Sequence, residues 1–90
     1  MSLPSLRKRI DRLDRRLLRL LNQRAALAVR VGRIKTQRGL PIFDARREAE
    51  VLQRLAKVNR GPLSGAAIRH IFRAILRYSR QTERARARRR

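Results

Sequence analysis

From Leu6 the chain sets apolar residues at alternating spacings of 4 and 3: Leu6, Ile10, Leu13, Leu17 and Leu20, then Leu27, Val31 and Ile34. This spacing keeps the stripe on one face of an α-helix, so a single long amphipathic helix is predicted. Gly32 is tolerated inside such a pattern, and the run ends near the helix breakers Gly39 and Pro41. Residues 5 to 37, at a rise of 1.5 Å each, make a rod of about 50 Å. A chain of 90 residues buries only about 60% of its unfolded surface when it folds alone. The rod overhangs any globule of that size, so its exposed stripe predicts a dimer in which two long helices pair.

The rhythm demands an apolar residue at position 24, and the sequence supplies Arg24. A seam Arg can snorkel from a short flank or fix the register by pairing across a dimer. A buried guanidinium is costly unless fully paired, however, and only six acidic residues accompany 26 Lys and Arg, so an anionic ligand is the better partner. Lys35 follows by eleven residues, about three whole turns, and projects from nearly the same line roughly 16 Å along the axis. Two extended side chains so placed can close on one small anion. Arg7 is displaced from Arg24 by roughly 25 Å and about a quarter turn, so it joins the same site only from the other subunit.

Two further helices are predicted. One starts near Asp44, a favourable N-cap, with Ala45, Ala49, Leu52, Leu55 and Ala56 on its inner face. The stretch "DARREAE", residues 44 to 50, holds half of the acids in the chain. Glu48 lies one turn beyond Asp44 on the same face with Arg47 beside it, while Glu50 points elsewhere as a surface partner for a neighbouring Arg. The last helix is capped by Ser64, with Leu63 and Ile68 placed for a hydrophobic staple. Its seam reads Ile68, Ile71, Phe72, Ile75, Ser79 and Glu83. Ser79 and Glu83 are i and i+4 on the inward face; periodicity alone leaves open whether they line a site or mark a frayed last turn. One domain over residues 1 to 84 and a disordered basic tail over 85 to 90 are expected.

The formal charge of +20 is compatible with non-specific binding of nucleic acid through counterion release. With three aromatic residues a base-stacking platform is not expected. A nucleic-acid module would also keep its important cations on the solvent face, whereas Arg24 sits on the seam. A purely structural coiled coil gives no reason for Arg24, Ser79 and Glu83 to interrupt their seams. The chain has no Cys and one His, so neither disulfides nor a metal centre is expected. No apolar stretch suits a signal peptide or a membrane span, and a cytoplasmic protein is expected.

Four phrases in order, "LRKRIDRLDRRLLRLLNQR", "VGRIK", "PIFDARREAEVLQRL" and "IFRAILRYSRQTE", resemble the all-α (AroQ) class of chorismate mutases over about residues 5 to 84. The resemblance implies an all-α fold: an intertwined homodimer of three-helix chains, a six-helix bundle with two active sites each lined by both subunits. It implies the Claisen rearrangement of chorismate to prephenate, on the route to phenylalanine and tyrosine, with no cofactor or metal. In the pattern of that family Arg24 and, from the partner subunit, Arg7 hold the two carboxylates, while Arg47 and Lys35 line the pocket and Lys35 reaches the ether oxygen. Glu48 accepts from the ring hydroxyl near the backbone of Asp44, and Ser79 and Glu83 close the pocket.

Such a reaction is unimolecular and pericyclic, so it needs no nucleophile or general base. It needs a flexible dianion held in a compact conformer, with positive charge where the breaking C–O bond gathers negative charge. Position 83 carries Glu, as in the fungal members, where a familiar bacterial version has Gln. An ionised carboxylate there would repel the developing oxyanion, and a protonated one can donate to it. The nearest rival on this scaffold is an isochorismate-pyruvate lyase; Arg47 with Glu48 favours the mutase.

Overall fold

The computed structural model describes residues 2–87 and consists of three helices: α1 (Leu3–Gln37), α2 (Ala45–Val58) and α3 (Gly65–Ala87). The all-α expectation holds. α1 begins two residues before the expected start because Ser2 is a cap in its own right: its side chain accepts from the Ser5 N–H at 3.2 Å, and Pro4 occupies the first turn. The rod closes on a Schellman motif. Leu40 N donates to Lys35 O at 2.8 Å and Gly39 N to Thr36 O at 3.2 Å, and Gly39 sits at φ +68°, where a residue with a Cβ is strained.

The other caps fall where the sequence puts them. Asp44 Oδ1 accepts from Arg47 N at 3.0 Å, and Ser64 Oγ accepts from Ala67 N at 3.0 Å. α3 packs on both α1 and α2, and the molecule measures 54 × 29 × 14 Å. The thickness is close to one helix diameter with its side chains, about 10–12 Å, so the chain is a single layer of helices. Such a layer encloses almost nothing. Leu76 is the one apolar side chain buried among the described residues, whereas Leu13, Leu17 and Leu20 expose 58%, 55% and 57% of their surface.

Three expectations are corrected. On α2, Ala45 and Ala49 are exposed while Glu48, Val51, Leu52, Leu55 and Ala56 turn toward the protein, a rotation that sets the Glu48 carboxylate against α3. On α3, Leu76 takes the central place and Ile71 stays 44% exposed. The tail does not begin at 85, since α3 continues to Ala87; Ala and Arg are strong helix formers, and cations favour a helix C-terminus. Residues 88–90 lie outside the described residues.

Candidate active site

A cavity of about 280 Å³ opens where the C-terminal half of α1, the start of α2 and the last turns of α3 meet. Leu27, Ala28, Val31, Ile42, Val51 and Leu76 give it apolar walls. Into these walls project the residues that interrupt the apolar seams: Arg24 and Lys35 from α1, Asp44, Arg47 and Glu48 from α2, and Ser79 and Glu83 from α3. The eleven-residue spacing on α1 therefore brings both of its cations to one pocket. Arg7 does not line it.

Each polar group is held by identifiable local structure. Arg24 Nη1 donates to Ser79 Oγ at 3.0 Å across the α1–α3 contact. Lys35 Nζ donates to the Ile42 carbonyl at 3.0 Å, which uses one of its three donors and leaves two. Arg80 Nη1 donates to Glu48 Oε1, and Glu50 pairs with Arg46 at 3.7 Å on the surface, one helical turn apart. These two ion pairs use Arg46 and Arg80. Among the described residues no carboxylate lies within ion-pair distance of Arg24, Lys35 or Arg47, so the pocket keeps cationic capacity for an anion.

Glu83 is 9% exposed and reaches this depth because of Gly32. A Cβ built on Gly32 would stand 3.0 Å from Glu83 Cβ and 3.2 Å from its Cγ, so any larger residue here would press on Glu83 and push it away from α1. Burial raises the Glu83 carboxyl above its ordinary range, helped by the negative charge of Glu48 and opposed by Lys35, Arg24 and Arg80. The frayed-turn alternative for Ser79 and Glu83 fails, since both are buried.

Sequence reasoning missed Arg80, Gly32 and the Ile42 carbonyl. Arg80 gave the same signal as Arg24, a cation on an inward row, Phe72, Leu76 and Arg80 at i, i+4 and i+8. It was hidden by Arg73, Arg77 and Arg84 around it.

The family described as Chorismate mutase type II matches residues 6–84, most of the chain. The chain belongs to that family. The structure resembles the Form II structure of the chorismate mutase of Thermus thermophilus with a TM-score of 0.90 at 40% identity, over 91% of this chain and 93% of that one. It also resembles the chorismate mutase of Helicobacter pylori, solved in complex with prephenate, with a TM-score of 0.86 at 31% identity over 93% and 91% of the two chains. A bifunctional chorismate mutase/prephenate dehydratase of Aquifex aeolicus is 44% identical over 78 residues, 82% of this chain. The chain spans only 22% of the length of that relative. The type II mutase resemblance assigned eight site residues, and the cavity gathers all of them except Arg7.

Proposed function

We propose that this chain catalyses the Claisen rearrangement of chorismate to prephenate in this cavity, completed by a second copy of the chain. The observation that carries the proposal is the set of cations without carboxylate partners, Arg24, Lys35 and Arg47, arranged on apolar walls around one buried acid. A dianion with one hydroxyl and one reacting ether oxygen matches that arrangement. The reaction breaks the ether C–O bond and forms a C–C bond in one cyclic step, so the protein has only to hold the compact conformer and meet the charge that gathers on oxygen.

In this mechanism Arg24, steadied by Ser79, takes one carboxylate, and Arg7 of the partner subunit takes the other. Arg47 contributes further positive charge at the pocket mouth. Glu48 accepts from the ring hydroxyl beside Asp44. The ether oxygen lies between the Lys35 ammonium and Glu83, whose carboxyl, raised by burial, donates to it in the protonated form. In a partly dry pocket such donors are worth more than in water and need no reorganisation as the charge develops. The homodimer is part of the proposal: a domain ordinarily needs two packed layers, and this chain supplies one, with the α1 stripe uncovered. A cytoplasmic location belongs to the same proposal and rests on the sequence.

The test is loss of chorismate absorbance with purified protein, with prephenate identified by NMR. Arg24→Ala is expected to lower kcat/KM by about 10²-fold or more, the scale of removing one donor to developing charge. A wild type that leaves chorismate intact, or that instead converts isochorismate to salicylate and pyruvate, contradicts the proposal.

A further inference from the structure

Arg80 has no part in the chemistry above, yet its side chain is tied down at two points. Its Nη1 donates to Glu48 Oε1, and the two side chains expose only 23% and 19% of their surface. Its guanidinium also stands 4.8 Å from the centre of the Phe43 ring, on the segment that joins α1 to α2. Arg80 and Glu48 line the central cavity, and both also line a second groove outside it, between Phe43, Leu52, Arg73 and Arg77. The pair is thus the partition between the two spaces.

From these contacts we propose that Arg80 is a positioning residue: it clamps Glu48 from the outer side, leaving Oε2 to accept from the ring hydroxyl of the substrate, and it seals the pocket from the outer groove. This role rests on the proposed function. A Glu side chain turns freely about its last torsion, so an untethered Glu48 would spread its carboxylate over many orientations. The cation–π contact fixes the guanidinium, the guanidinium fixes Oε1, and the remaining oxygen gains a direction. Removing Arg80 would leave a largely buried carboxylate without its cation. The loss would also reach Glu83, which is faced by Lys35 and Arg24 from α1, Glu48 from α2 and Arg80 from α3. Without Arg80, one charge that favours the ionised form disappears and the repulsion from Glu48 stands.

The test is a double-mutant cycle in steady-state chorismate kinetics with wild type, Arg80→Met, Arg80→Lys, Glu48→Gln and the double variant Arg80→Met/Glu48→Gln. Arg80→Met is expected to lower kcat/KM about tenfold, chiefly through KM, because hydroxyl binding is shared by ground and transition states. Arg80→Lys should recover part of the loss. In the Glu48→Gln background the Met substitution should cost less than about twofold. The loss of activity that accompanies ionisation of Glu83 as pH rises should move to higher pH in Arg80→Met. If far-UV circular dichroism shows that Arg80→Met does not fold, Arg80→Gln in both backgrounds decides the same point. An active wild type with no loss in Arg80→Met, or with the same loss in both backgrounds, overturns the role of Arg80 and leaves the proposed function standing. A wild type inactive on chorismate overturns both.

Discussion

Glu83 is the residue on which the pH behaviour of the pocket turns. Its folded-state pKa lies above its ordinary value of 4.5, with burial as the largest cause, so the folded protein holds that proton more tightly than the unfolded chain does. The stability contributed by this group is full below 4.5 and is lost as pH rises through the folded pKa. The proton that stabilises is also the one the mechanism uses. Activity of the wild type is therefore expected to rise toward acid, and Glu83→Gln, which donates at every pH, to flatten the profile of kcat/KM. A wild-type profile already flat from about pH 5 to 8 would contradict this. Arg24, Ser79 and Glu83 were legible in the sequence because each puts a polar group where a seam demands an apolar one. Burial versus the pull of Lys35 on Glu83 was not, because that balance depends on how closely α1 and α3 approach.

At the scale of the elements, that approach is set by Gly32. The sequence marks it only as a tolerated interruption, and its purpose appears once Glu83 is placed against it from α3. Gly32→Ala gains up to about 1 kcal/mol of helix propensity but forces atoms into a space 3.0 Å from Glu83 Cβ, an overpacking worth about 1–3 kcal/mol. The expected net result is a loss of up to about 2 kcal/mol in urea unfolding at fixed protein concentration, with lower kcat as Glu83 is displaced. A variant that is both as stable and as active as wild type would show that the helices do not need this contact. Helix starts at Asp44 and Ser64 were readable from cap chemistry alone. The face of α2 was legible only in its second half: Leu52, Leu55 and Ala56 turn inward as expected, but in the first turns packing takes Glu48 and Val51 instead of Ala45 and Ala49, with Glu48 held inward by its ion pair with Arg80.

Across the whole molecule, the layer is 14 Å thick and leaves Ile10, Leu13, Leu17 and Leu20 uncovered, which supports the proposed pairing with a second copy. Two such layers facing each other would bury the α1 stripes at roughly 25 cal/mol per Å² of apolar surface. The same pairing would carry the N-terminal half of one α1 past the pocket of the other chain, with Arg7 at its reach. The 4 and 3 repeat carries the same expectation, since a rod that long overhangs a globule of 90 residues. The most direct measurement is subunit complementation: Arg7→Ala and Arg24→Ala are purified separately, unfolded together, refolded as a mixture and assayed on chorismate. Each variant alone should be nearly inactive. An equal mixture should regain about a quarter of wild-type activity, because half of the dimers are mixed and one of their two sites holds both arginines. A mixture no more active than its components would contradict a pocket shared between two chains.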